Sequence, residues 1–211
     1  MKRVINLDNW NRKEHFKFFS ALDDPFWVIT TTVDFTSVYQ QSKNMEVSFF
    51  LYSVYFLLKC INATTAFKLR IENGEVVEYD KINISPTIGR EDGTFGFGFF
   101  EYDTDLSLFI ENAEKEIHRV KNSAGLSFSK DTARADVIRY SALPWFAFSE
   151  MKHAGSIQTG DSIPKISTGK LIQEKKKLLL PISISVHHGL VDGRNVAEFI
   201  QNLKDGQNNT L

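Results

Sequence analysis

The chemistry in this chain is concentrated in one heptapeptide, His187-His188-Gly189-Leu190-Val191-Asp192-Gly193. A neutral imidazole takes a proton near pH 7, which few other side chains do, so a histidine displayed at a turn is a candidate general base. Adjacent residues on an extended strand point to opposite faces. Only one of the two rings can enter a given site, and His188, nearer the turn, is the candidate. Taken alone, the pair reads as two buried histidines satisfied by backbone groups. The Gly-x-x-Asp-Gly pattern favours display, because glycine permits a tight turn where the ring is presented. The set is a poor metal site: adjacent strand histidines diverge, and no further Cys, His or acid motif is at hand.

The flanking sequence supplies the elements that must hold this turn. Leu178–Val186 reads as a buried strand, and Val196, Phe199, Ile200 and Leu203 mark one face of a helix. That helix is expected to fray into a polar tail, Asp205–Leu211. Asp8 or Asn9 can cap a helix from Trp10 to Phe19. Ser48–Ile61 is apolar on nearly every side and predicts a central buried helix. Asn73-Gly74 between Phe67–Ile71 and Val76–Tyr79 predicts a hairpin. Leu106, Phe109, Ala113, Ile117 and Val120 mark an amphipathic helix. Strands are expected at Phe26–Val33, Thr94–Tyr102, Asp136–Ser141, Ala147–Met151 and Ile163–Gly169. Gly96 and Gly98 belong to an aromatic-faced strand, with no helix following at once to bind phosphate. This order predicts an α/β fold, a two-layer sandwich on a large mixed β-sheet.

At 211 residues the chain is most simply one domain, 1–211. A net charge of −1 argues against a large electrostatic footprint for nucleic acid or an anionic membrane. Val47–Leu58, the longest apolar stretch, is too short to span a bilayer, and Met1–Leu7 lacks the apolar core of a signal peptide. The expected location is the cytoplasm. The single cysteine, Cys60, excludes an internal disulfide and reads as a buried, inert thiol. The 18 phenylalanines exceed what a core alone explains and suit an apolar pocket or a subunit interface.

His187 to Gly193 resembles the signature of the chloramphenicol acetyltransferase family, shared more loosely with dihydrolipoamide acyltransferases. Asn9-Trp10-Asn11-Arg12-Lys13-Glu14-His15-Phe16 resembles that family's N-terminal helix, and Ser141-Ala142-Leu143-Pro144-Trp145 its central serine segment. The resemblance covers almost the whole chain. It implies an acetyl-CoA-dependent O-acetyltransferase acting on chloramphenicol or a similar apolar hydroxyl compound. It also implies a homotrimer with sites at subunit interfaces and no metal. His188 would be the general base. Ser141 would stabilise the tetrahedral oxyanion. Asp192 would pair with Arg12 to fix the turn that presents His188. Phe18, Phe19, Phe95, Trp145 and Ser167 match acceptor-pocket positions, and Lys170 a position near the coenzyme phosphates.

The chain departs from the family at Phe19, where tyrosine is usual, at His153, where a pocket leucine is expected, at Trp27, where a smaller phenylalanine is usual, and at Met45, where a coenzyme lysine is usual. The altered pocket favours an alternative, an acyltransferase for another xenobiotic or metabolite hydroxyl. The non-enzyme alternative is a trimeric ligand-binding protein without turnover.

Overall fold

The structure, a computed structural model, describes residues 1–155 and 160–208. Its centre is the strand β10 (Lys177–His187), whose central and C-terminal residues are almost entirely buried. Before it in the chain come β1 (Lys2–Val4), α1 (Lys13–Ser20), β2 (Phe26–Asp34), α2 (Thr36–Asn44), α3 (Phe49–Ala63), β3 (Leu69–Glu72), β4 (Glu75–Tyr79), β5 (Asn83–Gly89), β6 (Phe95–Phe97), α4 (Leu106–Lys121), β7 (Val137–Ala142), β8 (Lys165–Thr168) and β9 (Ile172–Glu174); α5 (Gly193–Asn208) follows it.

Seven strands form one sheet in the order β2-β10-β8-β7-β5-β6, with β9 pairing the start of β10. The β5–β7 and β7–β8 pairs are parallel and the rest antiparallel, so the sheet is mixed as expected. β1, β4 and β3 make a second, three-stranded sheet.

Alternation along β10 divides the molecule into its two faces. Leu180, Ile182, Ile184 and Val186 enter the hydrophobic core. On that side α5 packs on α3 and on β2, and α4 on β5. α3 buries residues around its whole circumference, from Leu51 to Ile61, as its unbroken apolar sequence predicts. Ser183, Ser185 and His187 project to the opposite face, where the polar chemistry lies.

The hairpin forms as read: Asn73 and Gly74 both take positive φ, 51° and 81°, the geometry of a tight two-residue turn. Arg70 in β3 is fully buried and ties this hairpin to the large sheet. It donates to the carbonyls of Phe67, Leu69, Ala135 and Val137, and burial pushes its guanidinium down to about 10. Arg70→Met strands these carbonyls and is expected to cost about 3 kcal/mol or more in urea denaturation; an unchanged midpoint would contradict that role.

Several expectations need correction. The first helix begins at Lys13, not Trp10; Asn6 instead caps a short 3₁₀ turn, Leu7–Asn9, and Arg12 precedes α1 without a side-chain cap. Ala147–Met151 is not a strand. Its flanking carbonyls accept single bonds, Phe146 from the Lys170 amide and Met151 from the Ser183 hydroxyl, with no ladder between. The strand expected over Thr94–Tyr102 is broken after Phe97: Gly98 donates to the Pro86 carbonyl of β5, but Pro86 has no N–H to return the bond, Phe99 donates to Glu116 instead, and pairing resumes only as a bridge between Ile84 and Phe100. α5 runs on to Asn208, through the start of the expected tail, and 209–211 lie outside the described residues.

Candidate active site

β10 delivers the histidine pair to the end of the sheet, and the two rings part as strand geometry requires. His187 lies on the polar face. Its Nδ1 accepts from the Gly189 amide at 3.2 Å. Burial pushes His187 down to about 4, opposed by the Asp161 carboxylate and reinforced by His188. The ring is therefore neutral at ordinary pH, with its proton on Nε2. Gly189 makes a close approach: a Cβ there would lie 3.1 Å from the His187 ring, which would have to give by a few tenths of an ångström. Gly193 has open space around it and an ordinary φ, so the turn does not demand it.

His188 turns the other way. Its ring stacks on Phe19, with centroids 3.9 Å apart and planes within 10°, and leans on Trp27 at 5.4 Å. Trp27 is itself fixed by its indole N–H, which donates to the Val191 carbonyl at 3.0 Å. The two departures at Phe19 and Trp27 thus form the walls of the His188 slot. Its Nδ1 is buried and makes no hydrogen bond among the described residues. The His188 carbonyl accepts from Arg12 Nη2 at 3.2 Å.

Arg12 does two things at once. Besides holding the His188 carbonyl, its Nη1 pairs with Asp192 Oδ2. Asp192 also caps α5, Oδ1 accepting from the amides of Arg194 and Asn195, while Asn195 Oδ1 accepts from the Asp192 amide. Burial pushes the Asp192 carboxyl up, but Arg12 and these amides outweigh it and hold it below its ordinary 3.8. A depressed carboxyl contributes stability above about pH 4 that is lost in stronger acid. Asp192→Asn keeps the cap and removes the pair. With side chains 16% and 32% exposed, the pair lies between the buried and surface limits, so the loss should be about 1–3 kcal/mol, with a fall in turnover. Full thermal stability with lost turnover would contradict a structural role.

Ser141 lies far from this turn. It sits at the end of β7 in register with Ser167 of β8, which faces Ser183 of β10. Five further residues along β10 lead to His188, so the two are on the order of 19 Å apart within one chain. Thr87, which the sequence did not single out, donates to Ser141 Oγ at 3.3 Å and leaves the serine proton to point elsewhere. Such a hydroxyl can stabilise an oxyanion. Ser167 is buried and bonds His153 Nε2 at 2.8 Å, so the unexpected histidine is linked to an expected pocket residue.

The aromatic candidates divide. Phe19 walls His188, whereas Phe18, Phe95 and Trp145 are 65%, 47% and 74% exposed. Lys170 is exposed, and its amide is fixed to Phe146 beside the Ser141 segment. A cavity of about 710 Å³ opens elsewhere on the polar face, with Lys165, Ser185 and His187 among its walls. Sequence reading missed it because its residues come from distant segments. Cys60 is buried and its thiol is pushed up to about 12 by burial, which leaves it inert. Among the described residues no three His, Cys, Asp or Glu side chains gather to hold a metal ion, and no helix is long and apolar enough to cross a membrane.

Chloramphenicol acetyltransferase 3 of Escherichia coli is 28% identical over 208 residues, covering 98% of this chain and 97% of that protein. A solved chloramphenicol acetyltransferase superposes with a TM-score of 0.89 at 30% identity, covering 97% of this chain and 99% of the other. The dihydrolipoamide acetyltransferase of Azotobacter vinelandii superposes with a TM-score of 0.68 at 14% identity over 92% and 85%, a likeness of fold alone. The sequence profile of the family described as chloramphenicol acetyltransferase matches residues 2–204, and on that match the chain belongs to the chloramphenicol acetyltransferase family.

Proposed function

We propose that this chain is an acetyl-CoA-dependent O-acetyltransferase that acetylates a hydroxyl of chloramphenicol, the substrate its relatives are named for. The observation that carries this reading is the Arg12 clamp, which joins Asp192 to the carbonyl of His188 and so fixes the turn that presents one imidazole. His188 takes the proton of the acceptor hydroxyl, and the acceptor oxygen attacks the thioester carbon. Ser141, oriented by Thr87, donates its hydroxyl proton in a hydrogen bond to the carbonyl oxygen as charge develops there. The C–S bond breaks, the proton passes from His188 to the departing sulfur, and ester and free CoA thiol result. Both substrates meet in one site, so no acyl-enzyme forms.

The separation of His188 from Ser141 within one chain supports a site shared between copies, with His188 of one subunit facing Ser141 of the next. Exposed Phe18, Phe95, Phe128, Trp145 and Phe146 supply apolar surface suited to such an interface. The reading includes a homotrimer of single-domain chains, 1–211, working in the cytoplasm where acetyl-CoA is held, with Lys170 near the coenzyme phosphates. Light scattering should then give a mass about three times 24.1 kDa; a monomer would contradict the shared site.

The direct test incubates purified protein with acetyl-CoA and chloramphenicol and follows thiol release. Release that depends on the antibiotic, with growth protection of an expressing host, is the expected result. Release no faster than thioester hydrolysis would overturn the reading.

A further inference from the structure

The walls of the 710 Å³ cavity carry more charge and more unused donors than an apolar acceptor needs. Lys165 is only 7% exposed, and its ammonium reaches this space. It lies 3.4 Å from Asp161 Oδ2 and 4.6 Å from the Phe26 ring centre, and it makes no hydrogen bond among the described residues. Asp161 is already engaged: Oδ2 accepts from Arg139 at 2.8 Å and Oδ1 from the Ile163 amide at 3.0 Å. Two cations therefore share one carboxylate, and Lys165 holds the weaker share. Asp24, the other acid on this wall, faces Lys152 at 3.6 Å.

Strand pairing gathers further donors beside Lys165. Ser185 is its direct partner across β8 and β10, and His187 follows two residues on, on the same face. The Ser185 hydroxyl makes no side-chain hydrogen bond among the described residues, and His187 Nε2–H is not engaged by any. An ammonium, a hydroxyl and an imidazole N–H on one strip of sheet form a donor set suited to an oxyanion.

This strip runs beside the serine row. Arg139 pairs with Lys165 and Ser141 with Ser167, so the charged row and the serine row are adjacent rows of one face, roughly 7 Å apart along the strands. We propose that the cavity recognises a carboxylate, and that the acceptors of this enzyme include hydroxyl compounds whose carboxylate seats on Lys165, Ser185 and His187 while the hydroxyl reaches the Ser141 row. This deepens the acetyltransferase reading and rests on it for the identity of the reacting group.

The test uses 4-(hydroxymethyl)benzoate and its neutral amide, which place hydroxyl and polar group at opposite ends of a ring. Calorimetric titration of the full chain should show the carboxylate binding at least tenfold tighter than the amide. Lys165→Met should erase that preference, and Lys165→Arg, which retains the charge, should keep it; circular dichroism of both variants controls for folding. Equal affinities, absence of binding by either probe, or a preference that survives in Lys165→Met would overturn the proposal. Thiol release measured on the same preparations separates the two claims. Turnover of chloramphenicol without carboxylate preference sinks only this inference. Carboxylate preference without acetyl transfer to any acceptor sinks only the acetyltransferase reading.

Discussion

His188→Ala is expected to lower the rate of antibiotic-dependent thiol release by about a hundred- to ten-thousand-fold, the usual contribution of a positioned general base. The fold should survive the change. The ring is partly exposed, its Nδ1 makes no hydrogen bond among the described residues, and the turn is held by Arg12 through the backbone carbonyl of residue 188, which the substitution leaves in place. Stacking on Phe19 and Trp27 would be lost, at about 1 kcal/mol. The loss should therefore lie in kcat rather than in the melting temperature. A folded variant that retains more than about a tenth of the rate would remove His188 from the chemistry, and one that unfolds would contradict the Arg12 account of the turn.

Ser141→Ala should have the next largest effect, about a hundred- to a thousand-fold in kcat, with KM for both substrates little changed. The reasoning is geometric. A hydroxyl that accepts from Thr87 has its own proton to give, and an oxyanion exists only along the reaction path, so its stabilisation appears in kcat. Thr87→Val should produce a smaller fall of the same kind, because it removes the orienting bond and not the donor. A rise in KM with kcat intact would instead make Ser141 a substrate-binding group.

The sequence was most legible where a pattern was local. The His-His turn, the buried strand before it, the all-apolar α3 and the Asn73-Gly74 hairpin each announce themselves within a few residues, and each formed. The pairing of Arg12 with Asp192, which the resemblance implied across 180 positions, is present too. Four elements gave no such signal, the short β1 and β9 and the longer α2 and β5. α2 buries only Val38 and Ser42, so its apolar period is too sparse to read. β5 carries Pro86 where a paired strand is not expected, and only its register with β7 makes the assignment plain. Ala147–Met151 misled in the opposite sense: it read as a strand, but Phe146 beside it is exposed and no ladder forms. The cavity was invisible for a different reason. Lys165, Ser185 and His187 become neighbours only through the β8–β10 pairing, and no local period encodes that register. His153, read as a departure from an apolar pocket, makes sense once that face is assembled and its ring meets Ser167.

Mixing defective subunits interrogates the shared site most directly. His188→Ala and Ser141→Ala chains, each nearly inactive alone, would be co-expressed and purified together, and thiol release measured. Where one subunit supplies the imidazole and its neighbour the hydroxyl, random assembly leaves about a quarter of sites with both groups intact, so activity should return to about a quarter of wild type. Activity no higher than that of either variant alone would place both groups in the same chain's site and contradict the shared site.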